Sequence, residues 1–370
     1  MEYKSTMESV VNKLFDNQYN GRRVLITGHT GFKGSWLALW LAELGADVIG
    51  LALPPETTPN HWNLLGIDIN QYFRDIRDEQ TVARVVAETK PEIIFHLAAQ
   101  PLVRRSYLAP LETWSINVMG TANLLEACRR TNYTHAIVVV TTDKCYENQE
   151  WPWGYRETDK LGGHDPYSAS KAATELVVAS YRKAYFHKAE SPLLATARAG
   201  NVIGGGDWSE DRLIPDLVRS IATRTPLEIR SPEATRPWQH VLEALSGYLL
   251  LGQNLLQGKR SFADSWNFGP ETESNRTVAQ ILGRLSGYWP ELTWQICSYP
   301  QPHEASQLYL DSAKAKTKLG WKTIWSLDKT LETTADWYRK HSLIGQVESR
   351  VQLADYILAA QAIGAEWSKA

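Results

Sequence analysis

The chain has 370 residues, of which 43% are hydrophobic and 22% charged, the make-up of a globular protein with a substantial core. A net charge of −2, with basic clusters such as "CRR" and "VRR" only two residues deep, excludes the electrostatic footprint of a nucleic-acid partner. Residues 1–20 contain no apolar leader and no later window holds about 18 uninterrupted apolar residues, so export and a membrane partner are not expected and the reading places the chain in the cytoplasm. From Arg22 onward, short apolar runs alternate with amphipathic stretches: "RVLITG", "SWLALWLAELG", "DVIGLAL", "QTVARVVAETK", "EIIFHLAA". The alternation continues through "VMGTANLLEACRRT", "HAIVVVTT", "SASKAATELVVASYRKAYF" and "LLATARAGNVIG", giving at least six strands with intervening helices. That pattern predicts an α/β protein with a Rossmann-like, doubly wound parallel sheet. Beyond Gly204 the pattern loosens into loops and shorter elements, which predicts a smaller C-terminal α/β substrate lobe. The expected organisation is an N-terminal extension over 1–20, a dinucleotide-binding domain over 21–203 joined by part of 235–265, and a second lobe made mainly of 204–370.

Three segments carry chemistry. "VLITGHTGFKG" sets Gly28, Gly31 and Gly34 at a strand-to-helix junction, where the backbone can approach a pyrophosphate at the helix N-terminus. Thr30, Phe32 and Lys33 lie in the same loop, and Lys33 either meets a phosphate oxygen or points to solvent. The second strand ends "VIGLALPPE", with neither the acidic residue that holds an adenosine ribose nor an Arg for a 2′-phosphate, which leaves NAD against NADP open. "YSASK" supplies Tyr167 and Lys171 one helical turn apart, so that phenol and ammonium share a face. A cation there favours the phenolate and makes Tyr167 a usable base. "TTDKCY" follows the apolar run "HAIVVV": Thr142 sets a hydroxyl, and Asp143 and Lys144 two ionisable groups, at the mouth of a strand, where ligands of open α/β sheets sit. Two such groups beyond Thr, Tyr and Lys imply proton transfers that a simple oxidoreductase does not need; the plainer reading is an Asp–Lys pair capping the next turn.

The G-x-x-G-x-x-G loop and the Tyr–Lys pair resemble the extended short-chain dehydrogenase/reductase superfamily in its nucleotide-sugar branch. Thr-Asp-Lys, with "GHTGFKGSWL" and "ARAGNVIGGGDW", is similar to the CDP-glucose 4,6-dehydratases, whose relatives carry Thr-Asp-Glu. The resemblance runs from "RRVLITG" to "LGWKTIWSLDKTL". It implies NAD as cofactor, with Asp75 and Ile76 beside the adenine and Leu97, Ala98 and Ala99 on the nicotinamide side. It implies a nucleoside diphosphate hexose as substrate, touched by Gln100, Asn201, Arg212 and Arg236; Arg104, Arg105, His303 and Glu304 have either a substrate or a structural part. It implies no metal, a place in deoxysugar synthesis for surface polysaccharide such as O-antigen, and a homodimer or higher homo-oligomer built on the helices of "VMGTANLLEACRR" and "SKAATELVVASYRKAYF". In the implied chemistry Tyr167, helped by Thr142 and Lys171, deprotonates the sugar 4-hydroxyl. Lys144, with its pKa lowered so that it is neutral, takes the C5 proton, and a protonated Asp143 donates to the departing 6-hydroxyl. Two other readings stay open: a 4-epimerase of the same fold, which leaves Asp143 and Lys144 without work, and a non-catalytic NAD-binding scaffold. Cys128, Cys145 and Cys297 lack metal-ligand spacing and read as reduced thiols, and the fifteen tryptophans read either as core and subunit packing or as sugar-stacking surfaces.

Overall fold

In the computed structural model, which describes residues 13–298 and 307–369, β-branched and aliphatic runs lie side by side as seven parallel strands. These are β1 (Arg23–Thr27), β2 (Asp47–Ala52), β3 (Asn70–Phe73), β4 (Ile93–His96), β5 (Ala136–Thr142), β6 (Leu193–Ala199) and β7 (Ser265–Phe268). Their order across the sheet is β7-β6-β5-β4-β1-β2-β3, so the chain reverses direction between β1 and β4. His303 and Glu304 lie outside the described residues.

Side-chain alternation divides each central strand between two layers. Val24 and Ile26 of β1, Val138 and Val140 of β5, and Ala195 and Ala197 of β6 enter one buried cluster with α1 (Phe32–Glu43) and the later helix α6 (Val241–Leu256). Leu25, Ile49, Ile94, Ile137, Val139 and Leu194 enter the opposite cluster with α2 (Glu79–Thr89), α3 (Gly120–Arg129) and α4 (Pro166–Ala184). Helices on both faces explain why β5 is buried at every position and reads as a continuous apolar run. Helix α6 is apolar nearly all round because it is enclosed on all sides. A third cluster gathers Ile214, Leu217, Leu227, Ile229, Trp238, Ile281, Leu285 and Trp337. It joins α5 (Leu213–Thr223), α7 (Val278–Leu285) and α8 (Leu327–Ile344) into the second lobe. The last helix, α9 (Ser349–Ala362), returns to the sheet: Leu353, Tyr356, Ile357 and Ala360 belong to the cluster of α1 and α6.

That return is held by one buried carboxylate. Glu243 of α6, 1% exposed, accepts from the backbone N–H of Ile324 and Trp325 and from Tyr356 Oη, at 2.7–3.1 Å. Burial pushes its carboxyl up to about 7, against the pull of these donors. A folded-state pKa above the unfolded value means that the folded protein keeps a proton the unfolded chain releases, so this contribution is complete below about pH 4.5 and is lost as pH rises through about 7. Thermal unfolding measured from pH 5 to pH 8 is therefore expected to show the native chain losing stability across that window, by an amount on the order of 3 kcal/mol at most. The Glu243→Gln variant should show a flatter profile, and parallel profiles would remove Glu243 as the source.

Candidate functional site

A cleft of about 1060 Å³ opens over the carboxyl ends of the strands and extends under the second lobe. That is roomy beside the 300–1,000 Å³ of common small-molecule pockets. Its wall contains Gly28, Thr30, Gly31, Phe32, Lys33 and Gly34 from the first loop, Asp75 and Ile76 after β3, and Leu97, Ala98, Ala99 and Gln100 after β4. It also contains Thr142 and Lys144 after β5, Tyr167 and Lys171 of α4, and Asn201, Arg212 and Arg236. Of the candidate catalytic, cofactor and substrate residues among those described, Asp143 alone is not on this wall.

The first loop owes its shape to close packing. Gly28 has φ +78°, and a Cβ there would lie 2.7 Å from the Ala98 nitrogen, so the β1–α1 turn sits directly on the end of β4. Gly31, at the N-cap of α1, offers no side chain to the first helical turn, which leaves that turn's N–H groups to serve an anion lying in the cleft. Lys33 lies on the cleft wall and does not point to open solvent. Its Nζ turns inward to Tyr248 Oη at 3.4 Å, and burial together with Arg212 and Lys171, opposed by Asp143, brings it down to about 7. After β2 no carboxylate stands at the strand end: Leu53 follows, its carbonyl accepting from Thr30 Oγ1 at 2.9 Å, and Glu56 is paired with Arg105 at 2.9 Å. Asp75 is gripped by the Arg77 guanidinium at 2.6 Å, which holds its carboxyl below the usual range.

Helix α4 is fixed at its start by Asp165, whose oxygens accept from the Ser168 nitrogen at 2.9 Å and Ser168 Oγ at 2.6 Å, and by Pro166 in the first turn. This places Tyr167 in the first turn and Lys171 in the second, both facing the end of β5. Thr142 caps the short turn that follows β5, its Oγ1 accepting from the Lys144 nitrogen at 3.3 Å and donating to Asp143 Oδ1 at 2.9 Å. The Asp143 carboxyl thus sits behind the Thr142 hydroxyl, 3% exposed. Burial raises its pKa, while Lys144, Thr142, Arg236 and Lys33 oppose the rise. Tyr167 has Thr142 as its hydroxyl partner, yet burial drives its phenol well above the ordinary value, against the pull of Thr142 and Arg212. Lys171 Nζ donates instead to the Val140 carbonyl at 3.3 Å, and burial lowers it to about 8 against the pull of Glu175.

The substrate side is largely held in advance. Arg212 pairs with Asp207 at 2.9 Å, and Arg104 spans the cleft mouth to Asp211 at 2.6 Å. Arg236, 7% exposed, donates to the Thr235 carbonyl at 2.9 Å. Gln100 is a staple for its own loop: its amide donates to Thr113 Oγ1 at 2.9 Å and accepts from the Leu102 nitrogen at 2.6 Å. Two residues passed over in the sequence, Glu175 and Arg198, form a buried ion pair at 2.8 Å behind Thr141. The signal was present: an Arg inside the buried strand "ATARA" requires a partner, and a Glu one turn past Lys171 stands on the same helix face.

Comparison with known proteins agrees with this geometry. A profile of the GDP-mannose 4,6 dehydratase family matches residues 25–334. The CDP-glucose 4,6-dehydratase of Salmonella typhimurium is 46% identical over 353 residues, 93% of this chain and 98% of the relative. A dTDP-glucose 4,6-dehydratase of Xanthomonas campestris is 27% identical, over 85% of this chain and 92% of the relative. Among solved structures, an epimerase from Methanothermobacter thermautotrophicus superposes with a TM-score of 0.79 at 23% identity, covering 91% of this chain and 96% of the other. The dTDP-glucose 4,6-dehydratase of Streptomyces venezuelae, solved with NAD bound, does so at 0.74 and 24%, covering 86% and 97%. The chain belongs to the GDP-mannose 4,6 dehydratase family of nucleotide-sugar dehydratases.

Proposed function

We propose that the protein is a CDP-D-glucose 4,6-dehydratase, which forms CDP-4-keto-6-deoxy-D-glucose and water. The observation that carries this reading is the convergence of Thr142, Asp143 and Lys144 with Tyr167 and Lys171 at one strand mouth, in a chain 46% identical to a CDP-glucose 4,6-dehydratase. The cofactor would be NAD, held by the Gly28–Gly34 turn, Asp75, Ile76 and the Leu97–Ala99 segment. When bound, it would supply the reversible hydride acceptance that connects C4 and C6 of the sugar. Tyr167, oriented by Thr142, removes the proton of the 4-hydroxyl. The resulting ketone acidifies the C5 hydrogen, which Lys144 removes as a proton and gives back to C5 when hydride reaches C6. Asp143, which burial inclines to its protonated form, supplies the proton with which the 6-hydroxyl leaves as water, by way of the Thr142 hydroxyl that stands between it and the cleft. Arg212 and Arg236 suit the diphosphate, because a guanidinium fork matches two phosphate oxygens. Asn201, on the cleft wall, suits a phosphate or the sugar.

The same reading makes the protein a cytoplasmic homodimer or higher homo-oligomer. Unpaired Cys128 and Cys145 suit a reducing compartment. Leu108, Leu111, Met119 and Leu176, 55–87% exposed, lie on or just before α3 and α4 and supply an apolar surface for a second copy.

Incubation of the purified protein with NAD⁺ and, in turn, CDP-, dTDP-, UDP- and GDP-glucose should give a 4-keto-6-deoxy product most rapidly with the CDP sugar. A 4-epimer without loss of water would replace the reading with epimerisation. Asp143→Asn should leave C4 oxidation in place and slow water loss by about 10²-fold or more, in the range of a lost general acid. Gly200→Ala should act in the same direction, since a Cβ there would come within 2.9 Å of Asp143 Oδ2 and 2.8 Å of Pro237 Cγ. Dehydration at the native rate in both variants would remove Asp143 from the chemistry. For the oligomer, Leu111→Glu with Leu176→Glu should shift the mass measured by light scattering to that of one chain.

A further inference from the structure

Glu175 is a buried acid that the proton transfers above do not use. It lies on α4 one turn beyond Lys171 and is 2% exposed. Its Oε1 accepts from Thr141 Oγ1 at 2.5 Å and Arg198 Nε at 2.9 Å, and its Oε2 from Arg198 Nη2 and Thr196 Oγ1, both at 2.8 Å. Arg198 continues to Tyr146 Oη at 2.7 Å. Burying two charges costs several kcal/mol per ion before their attraction is counted, and well-packed apolar residues often serve stability as well. The pair therefore calls for a reason beyond stability, and its location supplies one: Thr141 precedes Thr142, and Lys171 lies on the same face of the helix.

Building on the reaction proposed above, we propose that Glu175 is a positioning residue for it: with Arg198 as counter-ion, it keeps Lys171 in its ammonium form and pins the Thr141–Thr142 end of β5 against α4. The charges around Lys171 support this. Burial works to neutralise Lys171, and Glu175 is the foremost group opposing it. From the other elements, Lys33 of α1 adds to the repulsion, His96 of β4 is held neutral by burial at about 3, and Cys145 after β5 is a thiol that burial raises. Tyr167 is likewise kept protonated by burial. Glu175 itself faces Thr141, Thr196, Arg198, Ser265, Arg182 and Cys145. Without its carboxylate the foremost group opposing the neutralisation of Lys171 is gone, the amine loses its proton near neutrality, and Tyr167 loses the positive neighbour that would favour its phenolate.

The test compares Glu175→Gln, Glu175→Asp and Glu175→Gln combined with Arg198→Gln in the full chain. Dehydration should rise with pH in every variant. The acidic limb of kcat should move up by about one pH unit in Glu175→Gln and in the double variant, with roughly tenfold lower kcat at pH 7 and recovery at higher pH. Glu175→Asp, which keeps the charge, should follow the native profile. A readout independent of turnover is the phenolate absorbance difference between each protein and its Tyr167→Phe counterpart, whose midpoint should rise by the same step. If Glu175→Gln does not fold, because Arg198 is left unpaired, the double variant carries the test. Folded variants whose pH limb and Tyr167 midpoint equal the native values would overturn the proposal, as would failure of both Gln variants to fold, since the pair would then be a folding element. Failure of the native chain to form a 4-keto product would instead sink the dehydratase reading, and the Tyr167 midpoint would still decide this one.

Discussion

Everything at the site depends on the ladder that holds β5 between its neighbours. Seven consecutive residues pair with β6, from Ala136 opposite Leu193 to Thr142 opposite Ala199, and Ala136 to Val139 pair with β4 on the other side. Side chains alternate between two sealed layers, so a slip of one residue would drive Val138 and Val140 into the layer of Ile137 and Val139 and reverse both. Such a strand has one register. The turn that leaves it then has one position, and Thr142, Asp143 and Lys144 receive theirs from the ladder rather than from contacts with a ligand. Helix α4 is fixed to the same strand by Lys171 on the Val140 carbonyl and by Glu175 on Thr141. The reacting groups therefore stand on rigid elements, the arrangement that proximity effects require.

Burial of that assembly sets its electrostatics. Lys33 and Lys171 are drawn down to about 7 and about 8, while Asp143 and Tyr167 are drawn up. Each shift favours the neutral form, and its first cause is desolvation rather than a single partner. A cluster of acids and amines displaced in this way can hand protons on near neutral pH with small free-energy steps, which fully ionised groups in water could not do. The cluster is also interdependent: Lys33 senses Asp143 and Lys171, and Asp143 senses Lys33, Lys144 and Arg236.

What could be read in the sequence was what local rules determine. The β-α alternation, the glycine turn after β1, and the Tyr167–Lys171 spacing each depend on residues a few positions apart, and each has its expected place in the fold. Contacts between distant segments decided the rest. Lys33 turns to Tyr248, a residue 215 positions away, and no periodicity announces that choice. Gln100 is consumed by its own loop because Asn117, Thr113 and Leu102 happen to surround it. Asp143 follows Thr142 in the chain yet lies behind it, because the short turn after β5 redirects the backbone. Glu175 and Arg198 were within reach: buried charges in apolar surroundings demand partners, and that demand is visible before any coordinates are known.

The tryptophans answer a question that composition left open. Of the fifteen, ten are buried, so the excess is structural in the main, although Trp208 and Trp238 do reach the cleft wall. The indole N–H groups of three of them, Trp36, Trp321 and Trp337, join separate segments of the chain. Trp36 of α1 donates to the Gly205 carbonyl at 3.0 Å, Trp337 of α8 to Ser349 Oγ at 2.9 Å, and Trp321 to Ser246 Oγ of α6 at 3.1 Å. His61 bridges the first two, its ring nitrogens on Ser35 Oγ at 2.8 Å and Ser349 Oγ at 2.7 Å. The helix that carries the glycine turn is thereby tied to the loop that follows β6 and to the start of the last helix. Trp36 thus ties the helix of the glycine turn to the loop after β6, so that separating these two segments breaks a buried indole bond, and an unsatisfied buried donor costs about 1–3 kcal/mol. The shape of the site thus depends in part on core residues such as Trp36, Trp321 and Trp337, none of which is on the cleft wall.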